Sequence, residues 1–325
     1  MAMAAVPHSQ EINAMTALRT IKLSDSSENP FWIDNIELTN RCPFKCIMCP
    51  RTHNMEREQG LMDFGLFQSI IDQVVFENRD RAPRRLAEEY VWLHHFGESL
   101  VHPDFHEFSI YASNQGLRNG FSLNPLMLTP RIIDKLIEAD PAIIYISLDG
   151  HDNESFEKIR GIPDAYEKSK EHLMNYLDRK LAAGSKTYVI LSMIYFPLNI
   201  TSIEKTVDYW KSVKGIDQFL SKSYVTWDGS VDEINALNFV QPGTEGKKRI
   251  IGCLKPWQKM TVNWDGTVVA CCFDHDKKYV LGDASTQALS EIWNGEKMKG
   301  LRQQFISKNV TTSPCKSCDK LYCYV

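Results

Sequence analysis

The 325-residue sequence has no apolar run approaching the roughly 18 residues that cross a bilayer. Its longest apolar-rich stretch, 188–196, is broken by Ser192 and suits a buried strand. The N-terminus lacks a basic segment followed by an apolar one, so no export signal is read and the cytoplasm is the expected compartment. Neither sign of charge dominates: 37 Lys+Arg stand against 41 Asp+Glu, for a net charge of −4. That excludes a strongly basic nucleic-acid binder, and neither nucleic acid nor membrane is an expected partner. Hydrophobic and charged contents of 43% and 24% exclude a disordered or collagen-like chain. Cysteine is missing from the whole middle of the chain, residues 50 to 252. The 9 cysteines fall into two groups, Cys42, Cys46 and Cys49 near the start and the rest between Cys253 and Cys323. An odd count without an export signal speaks against a disulfide framework and for two groups of thiolate ligands.

Residues 1–29 are polar without clear periodicity and read as a loosely attached arm. A regular alternation begins at Pro30. Strands are predicted over 32–39, 90–96, 121–124, 142–148, 187–196 and 218–225. Helices are predicted over 64–76, 105–115, 130–137, 154–160, 166–181 and 203–213, the third opened by Thr129 as N-cap with Pro130 at the first position. Six strands alternating with helices predict a parallel sheet with right-handed crossovers. The fold class is therefore α/β, a partial (β/α)6 barrel of the TIM-like kind over 30–227. Active sites of such folds lie at the carboxyl ends of the strands. The first cysteine group, Gly97-Glu98, Asn124 and Ser147-Leu148-Asp149 all fall there. Residues 228–246 read as a linker. Residues 247–325 read as a small Cys-rich α+β domain, with a two-residue type I′ hairpin at Asp265-Gly266 and one helix around 289–305.

Cys42-x3-Cys46-x2-Cys49 places three thiolates on one compact loop directly after the first strand. A zinc knuckle would need a fourth ligand, for which His53 is near. Three corners of a cubane iron–sulfur cluster, with the fourth iron open, fit the spacing and position better. In this respect the chain resembles the radical S-adenosylmethionine (radical SAM) enzymes. The resemblance implies a [4Fe–4S] cluster on these cysteines, with SAM on its open iron. It also implies reductive cleavage of SAM to a 5′-deoxyadenosyl radical, which removes hydrogen from an unactivated C–H bond. Met48 stands where the family commonly has an aromatic residue near the adenine. Phe96-Gly97-Glu98 resembles the G-G-E segment, implying that Gly97 and Glu98 receive the SAM amino group. Ser147-x-Asp149-Gly150 followed by Phe156-x3-Arg160-Gly161 resembles a further family stretch. It implies a ribose contact for Ser147 and a carboxylate contact for Arg160, whose fork suits a carboxylate. Asn124, ending the third strand, is a further candidate SAM contact. His102 and His106, at i,i+4, lack the metalloprotease glutamate and read as loop and helix residues.

Cys253-x12-Gly266-x4-Cys271, followed by Cys315-x2-Cys318, resembles the opening of the SPASM domain. It implies a four-thiolate cage of Cys253, Cys271, Cys315 and Cys318 around one auxiliary [4Fe–4S] cluster, as in the shortened twitch variant. A structural zinc on the same thiolates is the alternative. Cys323 is either an alternative ligand or a terminal thiol. Cys272 adjoins Cys271, and strand alternation would turn it to the opposite face. It reads either as a packed side chain or as a hydrogen-atom donor, the catalytic candidate. An auxiliary cluster beside a radical site serves two-electron oxidation, as in enzymes resembling aminocyclitol dehydrogenases. The expected activity is thus alcohol oxidation of a small polar, sugar- or aminocyclitol-like substrate, with a flavodoxin or ferredoxin as reductant. Epimerisation with Cys272 as donor, peptide modification and a non-catalytic iron–sulfur or zinc scaffold are the alternatives.

Overall fold

The computed structural model describes residues 23–237, 248–249 and 252–323. Six strands run in parallel: β1 (Ile33–Ile36), β2 (Tyr90–Trp92), β3 (Arg118–Leu123), β4 (Ile143–Ser147), β5 (Tyr188–Tyr195) and β6 (Gln218–Ser223). They lie side by side in sequence order, as βα units with one crossover hand require. Crossover helices include α1 (Phe64–Arg79), α2 (Phe105–Asn114), α3 (Pro130–Ala139), α4 (Asn153–Arg160), α5 (Tyr166–Ala182) and α6 (Ile200–Ser212). Thr129 caps α3 as predicted, its hydroxyl accepting from the Ile132 N–H.

Side-chain alternation divides the sheet into two unlike faces. Val91, Leu93, Phe121, Ile144, Ile146, Val189, Leu191 and Met193 are buried in the core with Phe67, Ile70, Ile71, Phe108 and Ile133 from the helices. The opposite face carries Asn35, Trp92, Tyr145, Ser147 and Lys222, none of them fully buried. Register aligns Asn35 with Trp92, Ser147 with Ser192, and Ile194 with Lys222 on that face. A concave sheet with helices outside therefore encloses a polar lumen.

The C-terminal segment extends the same sheet. Strands β8 (Met260–Val262), β9 (Thr267–Val269) and β10 (Val280–Asp283) give the order β10-β9-β8-β1-β2-β3-β4-β5-β6, with β8 parallel to β1. The short β7 (Lys248–Arg249) and β11 (Tyr322–Cys323) pair separately. The hairpin differs from the expected I′ turn. Gly266 has φ +87° and Asp265 is not in the left-handed region, whereas a I′ turn needs both there. The Asn263 N–H donates to the Thr267 carbonyl at 2.9 Å, and the Gly266 N–H to the Asn263 carbonyl at 3.0 Å. This is a three-residue loop with a glycine bulge.

The single helix expected near the end is two, α7 (Leu289–Trp293) and α8 (Glu296–Ile306), interrupted at Asn294-Gly295. The predicted arm is anchored where it is described. Trp257 Nε1 donates to the Ser24 carbonyl, Trp293 Nε1 to the Asn29 carbonyl and Arg302 to the Asp25 carbonyl. Residues 1–22 of that expected arm lie outside the described residues. Of the expected linker, Asp232–Ala236 forms a short helix, and 238–246 lie outside the described residues. No helix among the described residues is long and apolar enough to cross a membrane.

Candidate functional site

The loop after β1 carries the first cysteine group. Its backbone is pinned to the end of α4: the Lys45 N–H donates to the Arg160 carbonyl at 3.2 Å, and Ile47 N–H to the Ile159 carbonyl at 3.1 Å. Gly161 caps α4 with φ +70°, and a Cβ there would sit 2.7 Å from the Lys45 carbonyl. The glycine after Arg160 thus allows the helix end to touch the cysteine loop. Cys46, Met48, Phe44, Ile159 and Phe196 form a separate apolar cluster, with Cys42 and Cys49 at its margin. Arg51 donates to the Phe44 carbonyl at 2.5 Å. His53 Nε2 lies 2.8 Å from the Ile47 carbonyl.

Gly97 lies against the start of the same loop, where a Cβ would sit 2.0 Å from the Thr39 carbonyl. Close backbone packing alone requires a glycine there. Glu98 follows, 3% exposed. It accepts from the Asn124 N–H at 3.0 Å and the Leu100 N–H at 3.3 Å, bridging the carboxyl ends of β2 and β3. Burial outweighs these donors and pushes its carboxyl up to about 7. Asn124 Nδ2 is buried without a partner.

Arg160 meets a carboxylate of the protein itself. Its Nη2 donates to Asp149, and its Nη1 reaches Cys46 Sγ at 3.5 Å. Asp149, fully buried, also accepts from the Ile194 N–H at 2.7 Å and from Asn199 Nδ2 at 2.9 Å. Asp149 therefore orients the guanidinium against the cysteine loop, and Arg160 Nε remains buried without a partner. Ser147 ends β4 on the lumen face. Glu98, Asn124, Ser147, Arg160, Met48 and the three cysteines thus gather at one rim. His102 and His106 lie apart in a loop and at the start of α2, and His102 Nε2 meets the Met62 carbonyl at 3.2 Å.

The second group differs from the reading in one respect. Cys271-Cys272 lie beyond the end of β9, where strand alternation no longer applies. The two thiols are within hydrogen-bonding reach of each other. Burial raises the Cys253 thiol and Cys272 adds to it; burial raises Cys315 to about 12, with Cys253 and Cys318 adding to it. Cys272 thus interacts with Cys271 and Cys253, and Cys315 with Cys253 and Cys318. Lys255 Nζ lies 3.4 Å from the Cys272 Sγ. The side chain of Cys323 lies outside the described set.

Contacts that sequence reasoning missed tie the two groups together. Arg57 forms a double ion pair with Glu37 of β1's continuation at 2.5 Å and donates to the His275 carbonyl at 2.7 Å. His95 Nε2 lies 2.9 Å from the Cys272 carbonyl. Trp227 Nε1 donates to the Met48 carbonyl at 3.0 Å, and its ring packs 5.1 Å from both Phe96 and Phe273. Glu37, Arg57, His95 and Trp227 stand in no short motif, so spacing gave no signal for them.

Orphaned donors on Asn124 and Arg160, a buried carboxylate at Glu98 and three thiols on one loop fit a SAM-coordinating cluster. Among the described residues no three Cys, His, Asp or Glu converge on one ion. A cubane offers each thiolate a different iron and does not ask for such convergence.

Residues 36–209 match the family model of the radical SAM superfamily, and residues 253–319 match SPASM, an iron–sulfur cluster-binding domain. The chain is 25% identical over 328 residues to the tungsten-containing aldehyde ferredoxin oxidoreductase cofactor-modifying protein of Pyrococcus furiosus, covering 87% of this chain and 86% of that protein. It is 28% identical over 169 residues to the mycofactocin maturase MftC of Mycobacterium tuberculosis, across 52% of this chain and 39% of that protein. Among solved structures, BtrN in complex with AdoMet and 2-DOIA aligns with a TM-score of 0.57 at 17% identity, over 89% of this chain and 93% of BtrN. Streptococcus suis SuiB bound to the precursor peptide SuiA aligns at 0.61 and 14%, over 96% and 74%. These two likenesses establish the shared α/β fold.

Proposed function

Because the chain belongs to the radical SAM superfamily and carries its iron–sulfur cluster-binding SPASM domain, we propose that it oxidises an alcohol carbon of a small polar substrate by two electrons. A [4Fe–4S] cluster, SAM and auxiliary iron–sulfur chemistry come with those two domains. Cys42, Cys46 and Cys49 would hold the first cluster, and Cys253, Cys271, Cys315 and Cys318 an auxiliary one. The chemistry supplied by the bound groups is reductive cleavage of SAM to methionine and a 5′-deoxyadenosyl radical, with uptake of one substrate electron at the auxiliary centre. An external reductant such as a flavodoxin or ferredoxin would deliver the first electron.

The chain's own residues divide the remaining work. Glu98, ionising on contact with a cation, would hold the SAM ammonium, and the free amide of Asn124 would donate beside it. Arg160, fixed by Asp149, would direct its unpartnered Nε toward the SAM carboxylate. Ser147 would meet the ribose, and Met48 would pack on the adenine. The lumen face, with Asn35, Trp92, Tyr145 and Lys222, would seat a polar substrate against this rim. One observation carries the oxidative reading. His95 touches the Cys272 carbonyl just past the end of β2, so an electron acceptor on the second thiol group would lie beside the lumen mouth, which supports this reading. Cys272 interacts with Cys271 and Cys253, which supports its being a packed neighbour of that group over a free hydrogen-atom donor. One relative that spans most of both chains is named for modifying a cofactor, which supports a small-molecule substrate, whereas another, covering 87% of this chain and 78% of its own length, is named a PqqA peptide cyclase and supports the peptide alternative.

Reconstituted, reduced protein should release 5′-deoxyadenosine in a substrate-dependent way from a panel of polyols, aminocyclitols and sugar acids or phosphates, each equivalent matched by one carbonyl. Cys272→Ala should keep that ratio. Turnover that ceases in Cys272→Ala after 5′-deoxyadenosine release would favour epimerisation, and release dependent on peptides alone would favour peptide modification.

A further inference from the structure

We infer that the substrate carries an oxyanion, a carboxylate or a phosphate, and that Lys222 in the barrel lumen receives it. The inference rests on the proposed function only in taking the lumen as the substrate site. Lys222 stands at the carboxyl end of β6, aligned with Ile194 of β5 and so on the lumen face with Tyr145. Its ammonium lies 5.0 Å from the centre of the Tyr145 ring and meets no carboxylate or hydrogen-bond acceptor among the described residues. Tyr145 in turn packs edge-on to Trp92, at 6.4 Å, so strands β2, β4 and β6 contribute one layer.

Among the described residues, the one carboxylate whose charge acts on the lysine is Asp149, which forms its ion pair with Arg160 instead. Asp149 is bound by Arg160, Asn199 and a backbone amide. The neighbouring imidazole offers no negative charge: burial pushes His94 down to about 3, so it is neutral, and its Nδ1 is buried without a partner. Burial likewise draws Lys222 down, to about 8, leaving it mainly charged at pH 7. A half-buried ammonium with no paired anion costs free energy unless a ligand supplies one. A neutral polyol would satisfy the hydrogen bonds and leave the charge unanswered.

The test uses reconstituted protein saturated with SAM, and binding rather than turnover. D-Gluconate, D-glucose 6-phosphate and the neutral D-glucitol are titrated by ligand-observed NMR. At least one anion should bind wild-type protein roughly tenfold or more tightly than glucitol, a preference lost in Lys222→Met and retained in Lys222→Arg. Which anion wins separates carboxylate from phosphate. In protein labelled with [ε-13C]lysine, the signal missing from Lys222→Arg should shift when the preferred anion is added, a readout that does not depend on the methionine variant folding. No anion preference in the wild type, a preference surviving in Lys222→Met, a Lys222 signal that stays still, or displacement of the anion by SAM would each overturn the inference. Binding through Lys222 without oxidised product would instead refute the oxidative reading and leave this one standing.

Discussion

Replacing Arg57 with methionine should destabilise the protein in a pH-dependent way. Arg57 and Glu37 have side-chain exposures of 4% and 0%, and the guanidinium grips both carboxylate oxygens. Glu37 also accepts from the Phe96 N–H at 3.2 Å and the Trp264 N–H at 3.4 Å, and lies 3.5 Å from His95. Burial works against its ionisation, but the Arg57 and His95 contacts prevail and hold it well below the usual carboxylate range. Removing one partner of such a buried pair costs about 3–5 kcal/mol. At roughly 2 °C per kcal/mol for a chain of this size, the melting temperature should fall by about 6–10 °C. The sign with pH follows from linkage. A depressed folded pKa gives stability that is present above the unfolded value near 4.3 and is lost as pH falls through the folded one. In Arg57→Met burial is opposed only by His95 and the two backbone donors, the folded pKa rises, and the stranded charge costs most at high pH. The loss relative to wild type should therefore be larger at pH 8 than at pH 5, by differential scanning calorimetry of holoprotein. Arg57→Met/Glu37→Gln should recover part of the loss. An equal loss at both pH values, with the double variant simply additive, would refute the reasoning.

Glu98→Gln should weaken SAM binding by roughly 10- to 150-fold, the equivalent of about 1.5–3 kcal/mol, measured by calorimetric titration. Because Glu98 must ionise from a pKa of about 7 to hold an ammonium, wild-type affinity should fall as pH drops below 7. The glutamine variant should lack that slope. Gly97→Ala drives a methyl into the Thr39 carbonyl and should lower stability by about 1–3 kcal/mol with partial loss of the first cluster, read as melting temperature and iron content. Wild-type protein reconstituted anaerobically should hold about eight iron, and Cys42→Ala/Cys46→Ala/Cys49→Ala about four. Four iron with one zinc would contradict an auxiliary iron–sulfur centre.

The barrel was legible because periodicity reports which face is buried. The apolar run around Ile143–Ile146 and the helical spacing in 64–76 each arise from one packed layer. Motif residues at strand ends were legible for the same reason, since the carboxyl ends of parallel strands share one rim. What the sequence could not show was partnership across distance. Asp149 holding Arg160, and Glu37 holding Arg57, are charge pairs 11 and 20 residues apart with no local signature. Lys222 reads as an ordinary polar position on an alternating strand until register sets it over Tyr145. Strand alternation gave no guide to Cys271-Cys272, because the ladder stops at Val269. The hairpin error came from reading Asp265-Gly266 as a pair, when Trp264 belongs to the same loop.

The central claim is oxidation at a carbon that loses its hydrogen for good. Turnover in deuterium oxide with an accepted substrate, followed by mass spectrometry and NMR of the product, tests it most directly. The account predicts a product two electrons more oxidised than the substrate, with a carbonyl and no solvent deuterium at the attacked carbon. A product of unchanged oxidation level carrying one solvent deuterium at that carbon would contradict it.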